Sequence, residues 1–440
     1  MKVYPQEVYL HGLGKFPDYC YSVDISWTVT GGEIFLVTGG ADSIARIWRV
    51  KDRSSLEIHS ELTGHQLGVN CVRFSPDGLN SIATASDDGK VVVWTCHKTD
   101  DEQGVRWIQG RVLNVLDEVV GIAWSPCGTM IAAAVQREMT HIFSATSGRL
   151  LARLDGHANR VTGVCWDPQG AIIVSQSSDR TARVYAKKKN GSWYPKALLK
   201  EVDIEKPADK QEESEPVPAA VSKWKLFISE SHYPSDPTAH FFRRPDFSPD
   251  GSMVVLPGGL SEPDSSGSAK FVTHLFSRKA LVTGQGPTGI LTTPCSPGMA
   301  VRFHPRPWLT KDAGENFFVF VVTTVSSFYV MRSDRTKPIG FGTGLHCTAI
   351  VDASWSSDGQ LLALCSTDGY MTLVKFEENE LGGVPDWSGF VPGPPQVVAA
   401  KPVVPVTEEI PVVPKPETSE PNPATQKRRI TPVIVVNTKE

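Results

Sequence analysis

Short runs of alternating apolar and polar residues recur along this chain, and turns rich in Gly, Pro and Asp separate them. In each repeating unit, one run ends in an aromatic residue, a turn such as Ser-Pro-Asp-Gly follows, and two further runs flank an Asp-containing turn. Period-two alternation with many β-branched residues predicts β-strands rather than helices. The clearest copies are residues 69–94, 161–185 and 351–376, and the weaker copies are residues 22–48, 119–143, 243–276 and 300–331.

The spacing of the aromatic residues predicts how many sheets the chain forms. Successive aromatic positions are 47, 50, 42, 81, 56 and 52 residues apart, and a four-stranded propeller blade takes about 40–50 residues. Seven copies therefore predict an all-β fold of seven blades. The aromatic residues are Trp27, Phe74, Trp124, Trp166, Phe247, Phe303 and Trp355.

Two of the copies carry a Gly-His pair ahead of their first run. His65 lies 29 residues before Trp94, and His157 lies 28 residues before Tyr185. This arrangement resembles the WD-repeat family, in which the His, a Ser or Thr of the second strand, the turn Asp and a third-strand aromatic residue hydrogen-bond in series. The resemblance implies two such sets, His65, Thr84 or Ser86, Asp88 and Trp94, and His157, Ser175 or Ser177, Asp179 and Tyr185.

A His, an Asp and a Ser near one another also suggest hydrolase chemistry. A buried polar chain whose members satisfy each other is more typical of a structural lock, and this is our interpretation. The sequence contains no Walker lysine loop, no His-Glu-x-x-His motif and no nucleophile elbow,. Residues 284–289 match G-x-G-x-x-G, but they do not lie in a βαβ unit. We therefore expect no catalytic residues, no cofactor and no metal.

A ring of blades must also close, because an unpaired strand edge in the last blade would stay exposed. The third run of the last copy ends near Phe376, so residues 2–10 are predicted to supply its outer strand. Residues 187–222 mix charged residues with Pro and are predicted to form a long loop insertion. The propeller is predicted to span residues 1–383, and residues 384–440 to form a disordered Pro-rich tail,.

Composition and charge exclude several classes of partner. The chain is 40% hydrophobic and 21% charged, with a net charge of -4, so no overall basic face is expected for nucleic acid or anionic lipid. Sequence-specific nucleic-acid binding is therefore not expected. No apolar run reaches the roughly 18 residues of a membrane span. The eight Cys residues form no C-x-x-C pair, and buried reduced thiols inside an intracellular protein are the favoured interpretation.

The end of the tail departs from its surroundings. Residues 426–436 place three basic residues directly before a β-branched apolar stretch. A short strand-forming segment on a flexible tether suits strand addition to another protein's exposed sheet edge, with arginines meeting carboxylates and Ile430 filling an apolar pocket. A nuclear-import signal or a tail end without function is the alternative. Sequence chemistry alone does not separate these interpretations.

A closer family resemblance changes that balance. The stretches "FFRRPDFSPDGS", "THLFSRKAL" and "CSTDGYMTLVKFEENELG" are similar to the WD-repeat middle subunit of chromatin assembly factor over about residues 1–383. Members of that family, and related Hir-type subunits, carry a basic-apolar motif that binds the anti-silencing-function histone chaperone. The predicted partner-binding residues are Lys427, Arg428, Arg429, Ile430, Thr431 and Pro432. All of them except Thr431 match the motif.

The resemblance implies a nuclear, non-catalytic subunit of a histone chaperone that deposits histones 3 and 4 onto newly replicated DNA. Its partners would be the large and small subunits of chromatin assembly factor, the anti-silencing-function chaperone and, through the complex, the two histones. The main alternative is a WD-repeat substrate receptor of a ubiquitin ligase, which would not depend on residues 426–436.

Overall fold

The computed structural model describes residues 1–6, 19–26, 33–76, 81–99, 104–200, 202–205, 221–224, 241–261, 270–293, 296–309, 316–377, 380–381 and 384–385. In chain order its elements are β1 (Lys2–Gln6), β2 (Cys20–Ile25), β3 (Ile34–Gly40), β4 (Ile44–Lys51), β5 (Ser55–Thr63), β6 (Val69–Phe74), β7 (Ser81–Ser86), β8 (Lys90–Lys98), β9 (Val105–Asn114), β10 (Val119–Trp124), β11 (Met130–Val135), β12 (Thr140–Ser144), β13 (Leu150–Leu154), β14 (Val161–Trp166), β15 (Ile172–Ser177), β16 (Ala182–Lys187), β17 (Trp193–Leu199), β18 (Val202–Glu205), β19 (Val221–Trp224), β20 (Asp246–Phe247), β21 (Met253–Leu260), β22 (Phe271–Ser277), α1 (Arg278–Thr283), β23 (Gly289–Thr292), β24 (Val301–Leu309), β25 (Asn316–Thr323), β26 (Ser327–Arg332), β27 (Gly340–Thr343), β28 (Ile350–Trp355), β29 (Leu361–Ser366), β30 (Met371–Lys375) and β31 (Val384–Pro385).

These strands form the predicted seven-bladed β-propeller. Blades 1 to 6 are the antiparallel sheets β2–β5, β6–β9, β10–β13, β14–β17, β20–β23 and β24–β27, and blade 7 combines β28–β30 with β1. Contacts between inner strands run from β2 through β6, β10, β14, β20, β24 and β28 back to β2, so the ring is closed. In the described part of the chain, no helix has the length and apolarity that crossing a membrane requires.

The hydrophobic core lies between neighbouring blades. One cluster joins Phe35 and Ile47 of blade 1 to Phe74 and Trp94 of blade 2, and equivalent clusters fill the other junctions. Strands that are buried on both faces explain the nearly continuous apolar runs of the second strands, such as β3 and β29,. Each blade is therefore stabilised by its neighbours rather than by a core of its own.

The prediction that the ring closes with chain from its other end is confirmed. Strand β1 pairs antiparallel with β30, from Lys2 opposite Lys375 to Gln6 opposite Met371. Residues 7–10 of the predicted closing strand lie outside the described residues. The Gln6 side chain is buried and donates to the Ser54 carbonyl of blade 1, at 2.9 Å. Strand β1 thus connects blade 7 to blade 1.

The predicted insertion at residues 187–222 begins too early. Lys187 ends β16, and Trp193–Leu199 form the outer strand of blade 4. The turn between them contains Asn190-Gly191, and Gly191 takes the positive φ, +87°, that this hairpin turn requires and that glycine adopts without strain. The lysine-rich composition hid this hairpin. Strands β18 and β19 pair with each other, and residues 206–220 lie outside the described residues.

The assignment of Trp27 as the first-strand aromatic residue of blade 1 is also wrong. Ile25 holds the last paired position of β2, which Phe74 holds in β6. The side chains of Ser26 and Ser75, which follow these residues, both accept a second-strand backbone N–H. The separation between equivalent positions is then 49 residues rather than 47. Trp27 itself lies outside the described residues.

Two further features were not expected. Helix α1, whose N-cap Ser277 accepts from the Ala280 N–H, replaces a simple turn between β22 and β23. Val384 and Pro385 pair with β24 beyond the predicted domain boundary at residue 383. The chain divides into the units Met1–Val397 and Val398–Glu440, and the predicted tail from residue 386 onward lies outside the described residues.

Removing residues 1–6 should destabilise the whole propeller, because the edge of β30 would lose its partner. Five paired residues are lost, so we expect the free energy of unfolding to fall by roughly 3 kcal/mol in urea denaturation. Lys2→Ala is the matched control, because it removes only the exposed ion pair with Glu377 and should leave the midpoint unchanged. An unchanged midpoint after the deletion would show that β1 does not close the ring energetically.

Candidate functional site

The first predicted hydrogen-bond set lies in blade 2. His65 Nε2 is 2.7 Å from Thr84 Oγ1, and His65 Nδ1 is 3.0 Å from Asp88 Oδ2. Trp94 Nε1 donates to the same Thr84 hydroxyl at 2.9 Å. Ser86 bonds instead to the Leu67 carbonyl. Burial lowers the pKa of His65, so the neutral ring accepts from Thr84 and donates to Asp88, and every member is satisfied.

The second set lies in blade 4 and has Tyr185 where blade 2 has Trp94. His157 Nδ1 is 3.0 Å from Asp179 Oδ2, and His157 Nε2 is 2.7 Å from Ser175 Oγ. Tyr185 donates to the Asp155 carbonyl at 3.0 Å, and burial raises the Tyr185 pKa to about 12. Burial alone would raise the pKa of Asp179, but the hydrogen bonds from His157 and its neighbours hold it well below its usual range.

The chemistry of this Ser-His-Asp geometry depends on access. Ser175 has no exposed surface, and His157 is 5% exposed. A nucleophile must reach a substrate carbonyl, and Ser175 has no exposed surface through which to reach one. The arrangement therefore holds the second strand, the turn and the preceding loop together.

Blade 7 contains a third set that the sequence analysis missed. His346 Nδ1 is 3.1 Å from Asp368 Oδ2, and His346 Nε2 is 3.1 Å from Thr372 Oγ1. The hydroxyl comes from the third strand, directly opposite Leu364, which holds the place that Thr84 holds in blade 2. Residue 345 also separates the Gly from the His. The 22-residue spacing from His346 to Asp368 was the available signal.

Blade 1 replaces the histidine with an arginine. Trp48 Nε1 donates to Thr38 Oγ1 at 2.9 Å, as in blade 2. The turn carboxylate is Asp42, and it is paired with Arg46, which also bonds Glu61 at 3.0 Å. Similar turns are thus fixed by different donors, a neutral histidine in blade 2 and an arginine in blade 1.

A cluster of charged residues fills the central channel around Asp352, which has no exposed surface. Its carboxylate accepts from Arg73 Nη1 at 2.9 Å, Arg302 Nη2 at 2.8 Å and Ser22 Oγ at 2.7 Å. Arg244 Nε lies 3.7 Å away. Burial raises the pKa of Asp352, but the three arginines outweigh it and hold that pKa well below its usual range.

Arg244 comes from the segment before β20 and crosses the channel. Its guanidinium donates to the carbonyls of Tyr21 and Asn70 at 2.9 and 2.8 Å, and to that of Val351 at 3.2 Å. These carbonyls belong to the inner regions of blades 1, 2 and 7. The side chain is 5% exposed, so this arginine is not solvated as basic clusters usually are.

Side chains of one blade also satisfy the backbone of the next. Asp24 accepts from the Phe74 N–H at 2.8 Å, and Asp246 accepts from the Phe303 N–H at 2.9 Å. Ser354 Oγ accepts from the Ile25 N–H at 3.0 Å. Burial raises the pKa of both carboxyl groups. The inner strands have no further strand to pair with, so these side chains replace a ladder.

The channel keeps a cavity of about 330 Å³ beside blades 3 and 4. The residues that line this cavity include the small residues Gly121, Ala123 and Cys165, whose side chains do not fill it. Gly163 is required for a different reason, because a Cβ there would lie 1.6 Å from the Arg243 carbonyl oxygen. The backbone of Arg243 donates to the Thr162 carbonyl at 3.0 Å, so the chain before blade 5 lies directly against blade 4. In the described chain, no group of three or more His, Cys, Asp or Glu is placed to hold a metal ion.

The predicted partner-binding residues Lys427–Pro432 lie outside the described residues. The structure therefore does not test the strand-addition hypothesis. The channel cluster is a second feature that sequence reasoning missed, because its members are up to 330 residues apart in the chain.

Comparison with known proteins finds relatives that are similar in sequence to this propeller. The family model of the CAF1B/HIR1 β-propeller domain matches residues 1–381. The chain is 34% identical over 365 residues to the chromatin assembly factor 1 subunit FAS2 homolog of Oryza sativa subsp. japonica, covering 79% of this chain and 69% of the relative. It is 30% identical to the B-type subunit of chromatin assembly factor 1 from Mus musculus, covering 87% and 68%. The corresponding protein of Saccharomyces cerevisiae is 26% identical, with 79% and 81% covered.

Replacing Asp352 with Asn should strongly destabilise the propeller, because Arg244, which is buried, and Arg73 and Arg302, which are mostly buried, would lose their counter-ion. We expect a loss of about 3 kcal/mol at neutral pH in urea denaturation. Glu57→Gln is the control: Glu57 pairs with Lys51 at 3.3 Å on the surface, where both side chains are exposed, and the loss of this pair should cost less than about 1 kcal/mol.

The pH dependence of that loss has a defined direction. The folded-state pKa of Asp352 lies below its unfolded value of about 3.9,. The contribution of ionised Asp352 to the free energy of unfolding is therefore complete above that value and disappears as the pH falls further below it. The difference in free energy of unfolding between the wild type and Asp352→Asn should stay constant from about pH 8 to 5 and become smaller near pH 3. A difference that narrows already between pH 7 and 5 would contradict the assignment of the ionised form.

Proposed function

This chain belongs to the CAF1B/HIR1 β-propeller family, and we propose that it is a non-catalytic scaffold subunit of a nuclear chromatin assembly factor. The observation that carries this proposal is the family match, which runs through the whole propeller from residue 1 to residue 381. Relatives named as the B-type subunit of that factor occur in animals and yeast, and a FAS2 homolog occurs in a plant. These relatives support a role in chromatin assembly.

In this proposal the propeller is a rigid platform. The channel arginines and the His-Asp sets are mostly buried and are satisfied within the protein, so they supply rigidity rather than reactive groups. A rigid ring presents its loops and outer strands at fixed positions. The large and small subunits of the factor would bind to such surfaces, and the assembled complex would place histones 3 and 4 on newly replicated DNA.

The tail has the second task in this proposal. Lys427, Arg428 and Arg429 precede Ile430 and a stretch of strand-forming residues. A partner with an unpaired sheet edge would gain backbone hydrogen bonds from this segment, and acidic groups beside that edge would bind the guanidinium groups. We propose that the partner is a histone chaperone of the anti-silencing-function type, which delivers histones to the complex.

Replacing Arg428, Arg429 and Ile430 together with Ala should weaken binding to that chaperone by about 100-fold or more, since two charge-assisted contacts and an apolar anchor are lost. The propeller's melting temperature should not change. Isothermal titration with the purified chaperone measures the first quantity, and calorimetry of the isolated protein measures the second.

The matched control replaces Lys401, Ile410 and Lys415 with Ala. It removes two cations and one isoleucine from the same Pro-rich region and should leave the affinity unchanged. Equal affinity of the wild type and the Arg428/Arg429/Ile430 variant would refute the assignment of the motif.

A purification separates this proposal from the ubiquitin-ligase alternative. The tagged chain should retain two further subunits in stoichiometric amounts, and the tail variant should retain them as well while losing the histone chaperone. Recovery of a ligase adaptor in place of these subunits would overturn the proposal.

A further inference from the structure

The hairpin between β16 and β17 presents a run of lysines in a fixed conformation. Lys188 donates its backbone N–H to the Ser192 carbonyl at 2.7 Å, and Gly191 donates to the Lys188 carbonyl at 2.9 Å. Asn190 Oδ1 accepts both the backbone N–H and the hydroxyl of Ser192, at 3.1 and 2.7 Å. The lysine run is therefore part of a hydrogen-bonded turn rather than of a loose loop.

Two aromatic rings hold the lysine side chains. Lys187 Nζ lies 6.0 Å from the centroid of the Trp193 ring, and Lys188 Nζ lies 5.4 Å from that of Tyr194. Trp193 packs edge-on against Trp166, with centroids 5.4 Å apart, so it is anchored in blade 4. The ammonium groups are thus positioned at the surface by cation–π contacts.

The part of the chain that leads to this hairpin, from the outer strand of blade 2 to the end of blade 4, is more basic than the whole protein. Residues 104–200 contain thirteen Lys and Arg against six Asp and Glu, a net charge of +7, whereas the whole chain carries -4. Two of the six acids are engaged elsewhere, Asp167 with Arg278 and Asp179 with His157. Of the carboxylates that the structure describes, none forms an ion pair with the exposed residues Lys187, Lys188, Lys189 and Lys196.

We propose that this hairpin, residues 187–196, binds the phosphate backbone of DNA. Neighbouring ammonium groups repel each other, and a polyanion removes that repulsion while releasing its own counterions. Lysine contacts phosphate as a point charge, without reading bases, so the contact is independent of sequence. An acidic polypeptide would also need apolar anchors in a pocket, whereas the two rings here are occupied by lysines and by Trp166.

The choice of DNA rests on the proposed function, because a factor that assembles chromatin works beside DNA. The hairpin itself is independent of the tail motif. A failure of one proposal is therefore distinguishable from a failure of the other: the Arg428/Arg429/Ile430 variant should bind DNA as the wild type does, and a hairpin variant should still bind the histone chaperone.

The test is fluorescence anisotropy with the full chain and a labelled duplex of about 20 base pairs, over salt concentrations from about 50 to 200 mM. Replacing Lys187, Lys188 and Lys189 with Gln should weaken binding by about tenfold or more at the lowest salt. The slope of log K against log salt should also fall by about 2 to 3, one unit for each lost phosphate contact. Replacing the same residues with Arg should restore binding.

The matched control removes the same charge elsewhere. Lys98, Arg335 and Lys337 are exposed residues of other blades, and replacing them with Gln should change the affinity by less than about twofold, since they lie outside the contact. An equal loss in both triple variants would show that only net charge matters and would overturn the proposal. So would an unchanged slope in the hairpin variant, or displacement of the duplex by poly-glutamate more readily than by unlabelled DNA.

Discussion

The inner strand of every blade faces a channel in which no further strand is available to pair with it, and this constraint shapes the whole propeller. Backbone N–H groups on that side need acceptors, and burying them without partners is costly. Asp24, Asp246 and Ser354 supply acceptors for the neighbouring blade. Buried carboxylates need cations in turn. Arg73 and Arg302 donate to Asp352, and their charges also favour the ionised forms of Asp24 and Asp246. The channel is therefore a polar core that joins blades distant in sequence.

In blades 1, 2, 4 and 7 the turn before the third strand is held by a different and more variable set of side chains. Blade 2 uses Trp94, Thr84, His65 and Asp88 in series, while blade 7 moves the hydroxyl across the strand pair to Thr372. Blade 1 uses Arg46 against the turn carboxylate. These blades share a carboxylate in the turn and a side chain that pairs with it. The chemical identity of that partner varies.

Much of the architecture follows from local sequence patterns. The turn-and-strand repeat predicts seven blades, and the unpaired edge of the last blade predicts closure by the other end of the chain. Local patterns fail where composition and geometry disagree. Lys187–Lys189 resemble solvated loop residues, yet Asn190-Gly191 turns them into a hairpin. Trp27 resembles the repeat aromatic, yet register gives that place to Ile25. The channel cluster depends on ring closure, so no window of sequence contains it.

Closure through β1 also has a consequence for biosynthesis. The strand leaves the ribosome about 370 residues before its partner β30, which at 5–20 residues per second is a delay of roughly 20–70 s. During that time it is a free β-strand that can pair with the wrong chain. Pro5 is the fourth of the five residues of this strand and has no N–H to donate,. It weakens pairing with other chains but still allows β1 to pair with β30. The strand can therefore stay unpaired until the last blade has been synthesised.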